Sequence, residues 1–204
     1  MTETDVARLV NWGFEYADVR EYQEEQPAFV DGPSRRALAD WIARKPWEED
    51  TVQWLTLLGG CGIGKSLSMV RIALALPPET NVIYRRADEL ELDLLEWERA
   101  REAVPVNIQL VMRCKVLLVD DVDRWLLRSP HDVERGRVLY RWDALTEVRD
   151  SPRRVNIVSA NRTLRQLSEE PGFARWYDRA RRGLILEIPG RSRRYPQGEK
   201  GGST

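Results

Sequence analysis

The feature that most constrains this chain is a glycine-rich segment from Gly59 to Ser66, which reads Gly-Gly-Cys-Gly-Ile-Gly-Lys-Ser. It follows an apolar, β-prone run from Val52 to Leu58 and precedes a helical pattern. The segment fits G-x-x-x-x-G-K-[ST], in which glycines let backbone N–H groups surround an anion and a new helix points its positive end at it. The flanking strand and helix favour a phosphate-binding loop over a glycine-rich turn without function.

The side chains of this loop predict what it binds. Lys65 is expected to hold the β- and γ-phosphates of a nucleotide, and the Ser66 hydroxyl is expected to bind Mg²⁺. We therefore predict ATP or ADP, with Mg²⁺, as the bound groups. The nucleotide-binding residues predicted in this segment are Gly59, Gly60, Cys61, Gly62, Ile63, Gly64, Lys65, Ser66 and Leu67.

Length and composition narrow the class of protein. The 204 residues suffice for one α/β domain with its own core. The spacing of the two cysteines, Cys61 and Cys114, suggests neither a metal site nor a disulfide framework, which points to a reducing compartment. No basic-then-apolar leader and no apolar run of about 20 residues is visible. We expect a soluble, cytoplasmic protein without a membrane partner.

Charge is distributed unevenly along the chain. Residues 1–148 carry 19 basic and 27 acidic side chains, whereas residues 149–204 carry 13 and 6. A basic C-terminal quarter favours an anionic partner, such as single-stranded DNA, or arginines that serve a phosphate site. A solvated basic surface is the alternative.

Apolar runs alternate with helical patterns, which predicts a parallel α/β sheet. After the first strand, further strands are predicted at residues 81–84, 115–121, 155–159 and 184–188. Helices are predicted at 87–100, 133–148 and 173–182, with an irregular piece at 104–113 and a charged loop at 123–132. We divide the chain into an N-terminal arm (1–28), an ATPase domain (29–194) and a disordered tail (195–204). The amphipathic arm either packs on the domain or offers Trp12 and Phe14 to a partner.

Polar side chains end the two central apolar runs. Asp120 and Asp121 follow Val-Leu-Leu-Val, and Asn161 follows Val-Asn-Ile-Val-Ser-Ala. Parallel sheets build their sites at the carboxyl ends of strands, so Asp120 is predicted to join Ser66 at the metal and Asp121 to orient or deprotonate the attacking water. Asn161 is predicted to hold the water or the γ-phosphate; capping of the next helix is an equally good role for it.

Arginines at 179, 181 and 182 lie far along the chain from Lys65. They are candidates for an arginine that reaches the γ-phosphate of a neighbouring subunit. A basic surface helix is the alternative.

These motifs together resemble the DnaC/IstB family of AAA+ ATPases. The resemblance is carried by Gly59 to Ser66, Leu-Leu-Val-Asp-Asp at 117–121, the segment 156–167, Tyr-Asp-Arg at 177–179, and Gly-Arg-Ser-Arg-Arg at 190–194. It implies an AAA+ P-loop three-layer sandwich whose five-stranded parallel sheet has the order 5-1-4-3-2. It also implies that Asn161 is the sensor-1 residue, Arg179 the catalytic arginine finger and Arg194 a nucleotide-binding sensor-2 arginine.

The resemblance also implies a function. Family members are helicase loaders or transposition helpers that bind ATP and DNA and assemble into spirals or filaments. We therefore expect an oligomerising ATPase of DNA replication whose protein partner is a replicative DNA helicase or a transposase. An ATP-gated scaffold without hydrolysis and a small-molecule kinase are the alternatives.

Overall fold

The computed structural model describes residues 1–25, 33–100, 103–127, 131–170 and 173–189. The strands are β1 (Gln53–Leu58), β2 (Val82–Arg86), β3 (Val116–Asp120), β4 (Val155–Ala160) and β5 (Leu184–Glu187). The α-helices are α1 (Glu3–Asn11), α2 (Tyr16–Glu25), α3 (Pro33–Ala43), α4 (Lys65–Ala75), α5 (Ala87–Arg99), α6 (Val106–Arg113), α7 (Val133–Arg149), α8 (Leu164–Ser168) and α9 (Ala174–Ala180). Short 3₁₀ segments occupy Pro46–Glu48 and Val122–Leu127.

The strands form one parallel sheet in the order β2-β3-β4-β1-β5. This is the predicted order 5-1-4-3-2 counted from the other edge, so the predicted sheet is confirmed. Strand β1 lies between β4 and β5, with Leu57 opposite Ser159 on one side and Leu186 on the other. The strand that leads into the glycine-rich loop is therefore an interior strand.

Helices cover both faces of the sheet and complete the three-layer sandwich. One apolar cluster packs helices α1, α2, α3 and α4 against one face of the sheet. Its buried members include Leu9, Trp41 and Val70. The other joins α5, α6, α7 and α9 with the opposite face through Leu94, Trp142 and Trp176, among others. Every residue of β3 is buried, which explains its unbroken apolar sequence.

The N-terminal arm packs on the domain. Leu9 and Val19 are fully buried, and the Phe14 ring stacks on the Tyr84 ring with centroids 4.1 Å apart. The Tyr84 backbone N–H donates to the Trp12 carbonyl at 2.7 Å. The structure therefore favours packing over display of Trp12 and Phe14. The predicted boundary at residues 28 and 29 lies outside the described residues.

Two connections are more ordered than the sequence predicted. Residues 106–113 are helix α6 because Ile108 and Val111 face the core, three residues apart. The predicted charged loop at 123–132 begins as a 3₁₀ segment in which Val122, Trp125 and Leu126 are buried. Their apolar side chains hold that segment against α5 and α7.

A buried arginine fastens the end of α7 to the sheet. Arg149 is 1 % exposed, and its guanidinium donates to the Val111, Cys114 and Val155 carbonyls and to Asn156 Oδ1. Because a buried charge is costly unless it is hydrogen-bonded, these contacts fix where β3 and β4 begin relative to α7.

Two predictions remain, one for the C-terminal residues and one for membrane-spanning helices. Arg194 and the predicted tail at 195–204 lie outside the described residues. Within the described ranges, no helix combines the length and the apolar character that crossing a membrane requires.

The docking of the arm can be tested by Phe14→Ala. Removing this 3 % exposed ring deletes the stack on Tyr84, and we expect a loss of about 3–5 kcal/mol in the free energy of unfolding. The melting temperature should fall by about 2–4 °C for each kcal/mol lost from the free energy of unfolding, as in other domains of this size. The matched control is Tyr16→Ala, because Tyr16 is 63 % exposed. Equal melting temperatures for the two variants would contradict the packing described.

Candidate active site

The site forms where three strands end side by side. Strand β1 runs into the loop Gly59 to Gly64, β3 ends at Asp120, and β4 ends at Ala160. Because β4 pairs with both β1 and β3, the residues that follow these strands meet at one edge of the sheet. The sequence prediction that the loop, the two aspartates and Asn161 converge there agrees with the structure.

The loop adopts backbone angles that favour glycine. Gly59 has φ +143° and Gly64 has φ +97°, a region that side chains with a Cβ rarely adopt. A Cβ on Gly59 would also lie 2.6 Å from the Ile188 carbonyl oxygen. The backbone can therefore turn tightly between β1 and α4, which begins at Lys65.

Lys65 closes the loop. Its side chain donates from Nζ to the carbonyl oxygens of Gly59 and Gly60, at 3.0 and 2.9 Å, and to Asn161 Oδ1 at 2.7 Å. These contacts occupy the three protons of the ammonium group. Burial lowers the pKa of Lys65, while Asp121 and Asp120 act in the opposite direction. The ammonium charge thus sits in a mostly buried site whose nearest partners are neutral oxygens.

Asp120 is the convergence point of three hydroxyl groups. Ser66 donates from Oγ to Oδ2 at 2.5 Å, and the Tyr84 hydroxyl donates to the same oxygen at 3.2 Å. Ser159 donates from Oγ to Oδ1. Burial and Asp120 raise the pKa of Tyr84, so its hydroxyl remains a donor. The carboxylate, which is 5 % exposed, is thereby fixed in orientation.

Ser66 and Asp120 fit Mg²⁺. The ion prefers hard oxygen ligands and is commonly held by one or two protein groups together with phosphates. A hydroxyl and a carboxylate oxygen that lie 2.5 Å apart can face one ion. These two residues would hold it.

Asp121 has an unusual backbone. Its φ is +58°, which a non-glycine residue adopts at a cost of about 1–2 kcal/mol. The Asp121 N–H donates to Ser159 Oγ at 2.8 Å. The Asp121 carboxylate accepts a hydrogen bond from the Asn161 side chain. Burial, followed by the charge of Asp120, raises the pKa of Asp121.

Asn161 links the loop to the acidic side of the site. Its Oδ1 accepts from Lys65, and its Nδ2 donates to Asp121 Oδ1 at 3.1 Å. Helix α8 is instead capped by Thr163, whose hydroxyl accepts from the Gln166 N–H. The alternative role of Asn161 as the helix cap is therefore excluded.

Two cavities beside the loop receive acidic residues from the arm. Glu21 lines one cavity with Lys65 and Ser66, and Asp18 lines the other with Ser66 and Asp120. Burial, and then the charges of Asp120, Glu15 and Glu21, raise the pKa of Asp18 to about 6. Helix α2 is thus part of the wall of the site.

A larger cavity of about 460 Å³ adjoins the other side of the loop. It is lined by Gly59 and Gly60, by Ser34 at the start of α3 and by Ile188 after β5, among others. Its volume and mostly apolar lining suit a nucleoside next to the phosphate position.

The arginines of α9 lie elsewhere. Arg179 is 14 % exposed in its side chain and pairs with Asp143 at 3.2 Å and Asp150 at 3.5 Å, both on or next to α7. Arg175 and Arg182 pair with the same two carboxylates. The structure therefore gives Arg179 partners within its own chain, and its role as an arginine finger stays a prediction.

Comparison with known proteins identifies the fold. No protein-family model matches the sequence, and neither does any curated protein. Among solved structures, the replication initiator DnaA bound to AMPPCP and single-stranded DNA matches with a TM-score of 0.62 and 18 % identity over 81 % of this chain and 49 % of DnaA. The DnaC helicase loader matches at 0.59 and 16 % over 78 % and 93 %, and DnaI at 0.57 and 20 % over 80 % and 86 %. The chain has the AAA+ fold. It spans about half the length of the replication-initiation proteins that it matches.

Sequence reasoning missed several residues of this candidate site. Ser159 and Tyr84 orient Asp120, and Asp123 Oδ1 accepts from the Asn161 backbone N–H at 2.9 Å. Asp123 carried a usable signal, because it lies among the apolar residues Val122, Trp125 and Leu126. Asp18 carried none, since its position depends on where the arm packs.

The electrostatics of the candidate site can be tested by Asp18→Asn. A carboxyl group whose pKa is raised to about 6 in the folded protein, from an ordinary 3.8, binds a proton more tightly when folded. Its ionised form therefore disfavours folding, and this cost grows as the pH rises from about 4 to about 6 and stays constant at higher pH. In thermal unfolding without nucleotide, the melting temperature of Asp18→Asn minus that of wild type should be larger at pH 8 than at pH 5.

The control for this prediction is Asp50→Asn, which removes the same charge from a side chain that is 81 % exposed. If the difference between Asp18→Asn and wild type is the same at both pH values, the described environment of Asp18 is wrong.

Proposed function

We propose that this chain is an ATP-hydrolysing AAA+ protein that assembles into a homo-oligomeric spiral or filament and acts in the cytoplasm in DNA replication, as a helicase loader or a loader-like protein. One observation carries the proposal most directly. Lys65, Asn161 and Asp121 form a continuous hydrogen-bonded chain beside the Ser66–Asp120 pair. A lysine suited to bind phosphate, an amide and a carboxylate are thereby held next to one another, as hydrolysis of a nucleotide requires.

The geometry supports a division of roles between these side chains. Lys65 exchanges its contact with Asn161 for a phosphate oxygen, which releases the amide to contact the γ-phosphate or the attacking water. Asp121 orients that water and accepts its proton, and its raised pKa makes it a stronger base than an ordinary aspartate. Ser66 and Asp120 would hold Mg²⁺, which would supply neutralisation of phosphate charge. The γ-phosphoryl group passes to water as its bond to the β-phosphate oxygen breaks, and ADP and phosphate leave.

Support for a role in replication comes from the fold. The DnaC helicase loader matches over 93 % of its length, and the matching DnaA structure holds single-stranded DNA. On this basis, a replicative helicase is the protein partner and single-stranded DNA is the nucleic acid. A transposition helper with a transposase as its partner is the second candidate.

Hydrolysis is tested by Asp121→Asn. Loss of the carboxylate that accepts the proton should lower ATP turnover about 100-fold or more, while binding of a fluorescent ATP analogue is retained. Asp88→Asn, on the exposed start of α5, is the control and should keep wild-type turnover. An Asp121→Asn protein as active as wild type would contradict the catalytic role. A wild type that assembles with nucleotide but has no turnover would favour the ATP-gated scaffold.

The partner is tested by capture of a purified replicative helicase and, in parallel, of a purified transposase on the immobilised protein, with and without ATP. We expect ATP-dependent retention of the helicase. Retention of a transposase instead would favour the transposition helper, and retention of neither would overturn the proposed partner.

A further inference from the structure

Helix α9 and its end carry four arginines, and these make different contacts. Arg175, Arg179 and Arg182 are spaced by four and three residues, which places them on one face of a helix. Arg181, at the C-cap, keeps helical angles of φ −65° and ψ −14°. At about 100° per residue, its side chain leaves the helix about 130° away from that face.

The three arginines on the shared face fasten α9 to α7. Their guanidinium groups pair with Asp143 and Asp150, which are seven residues apart and so lie along one side of α7. The pairs are Arg175–Asp143 at 2.9 Å, Arg179–Asp143 at 3.2 Å, Arg179–Asp150 at 3.5 Å and Arg182–Asp150 at 2.6 Å. Asp150 also accepts from the Trp54 indole at the start of β1.

Arg179 is the central member of this network. It bridges both carboxylates and also donates to the Thr146 hydroxyl at 3.5 Å. Its side chain is 14 % exposed, and the two carboxylates are 18 and 19 % exposed. To reach a phosphate on another molecule, Arg179 would have to give up its ion pairs with both Asp143 and Asp150, which are partly buried, and its contact with the Thr146 hydroxyl. Breaking partly buried ion pairs is unfavourable.

Arg181 has the opposite properties. It is exposed, and within the described part of the chain its side chain makes neither a hydrogen bond nor an ion pair. Its guanidinium lies 5.9 Å from the centre of the Tyr177 ring, a contact that leaves all of its N–H donors available. The network on the other face holds the helix that presents it.

We propose that Arg181, rather than Arg179, is the arginine that contacts the γ-phosphate of ATP bound to a neighbouring copy of this chain. This inference rests on the proposed function, since it requires hydrolysis at an interface between copies. Arg181 donates hydrogen bonds to the γ-phosphate oxygens as the bond to the β-phosphate breaks, and it stabilises their charge without exchanging a proton.

The first test compares Arg181→Ala and Arg179→Ala in the assembled protein. Arg181→Ala should lower ATP turnover about 100-fold or more, with the melting temperature and the affinity of the isolated subunit for a fluorescent ATP analogue unchanged. Arg179→Ala should lower the melting temperature and keep most of the turnover at a temperature where it is folded. Arg175→Ala is the matched control on the same helix and should keep turnover.

The second test asks whether Arg181 acts across an interface. Lys65→Ala subunits lack the phosphate-binding lysine but retain Arg181, whereas Arg181→Ala subunits have the reverse defect. Mixing the two inactive proteins should restore turnover, because an Arg181→Ala subunit then receives the arginine of a Lys65→Ala neighbour. Failure of the mixture to recover activity, with mixed assemblies present in sedimentation, would overturn a role in trans.

The outcomes separate this inference from the proposed function. If wild type hydrolyses ATP in an assembly-dependent way and Arg181→Ala does too, the assignment to Arg181 is wrong and the proposed function stands. If wild type neither hydrolyses ATP nor assembles with it, both are wrong. If wild type assembles with ATP without turnover, Arg181→Ala should weaken ATP-dependent sedimentation, and unchanged sedimentation would overturn the contact.

Discussion

The buried ammonium group of Lys65 is the interaction on which the rest of the site depends. An unpaired charge at this depth would be strongly unfavourable, and the fold satisfies it with two loop carbonyls and the Asn161 amide oxygen. These contacts tie the loop after β1 to the end of β4 before any ligand is bound. In the proposed function, a phosphate oxygen would replace Asn161, give Lys65 a charged partner and release the amide at the same time.

Acidic side chains shape the other half of the site. Asp120 and Asp121 follow β3, and α2 brings Asp18 and Glu21 to the cavities around Ser66. Burial, followed by the charge of Asp120, raises the pKa of both Asp18 and Asp121, so the ionised carboxylates are disfavoured in the folded protein. A magnesium ion held by Ser66 and Asp120 would offset the negative charge around these carboxylates, so the arrangement that costs stability would favour a nucleotide bound together with its cation. The N-terminal arm is thereby linked to the site electrostatically as well as by the stack of Phe14 on Tyr84.

The parts of the fold and of the site that could be predicted from sequence are those with local signals. The glycines and Lys65 have the spacing of a phosphate-binding loop, and Asp120 ends a fully apolar strand. Each of these residues can therefore be assigned to the site from its neighbours in sequence alone. Asn161 was ambiguous because its two roles differ only in where the side chain points, and Thr163 two residues later decides between them. Arg179 could not be judged from sequence, since its partners Asp143 and Asp150 become neighbours only when α9 packs on α7. Helix α6 was missed because it is short and follows a proline.

We propose above all that this edge of the sheet binds a nucleoside triphosphate through the glycine-rich loop. Isothermal titration of ATP with Mg²⁺ into wild type and into Lys65→Ala tests it most directly. We expect saturable binding to wild type at one site per chain and an affinity about 100-fold or more lower for Lys65→Ala, because the variant loses the charged contact to the phosphates. Absence of binding to wild type, or equal affinity of a folded Lys65→Ala protein, would contradict the account.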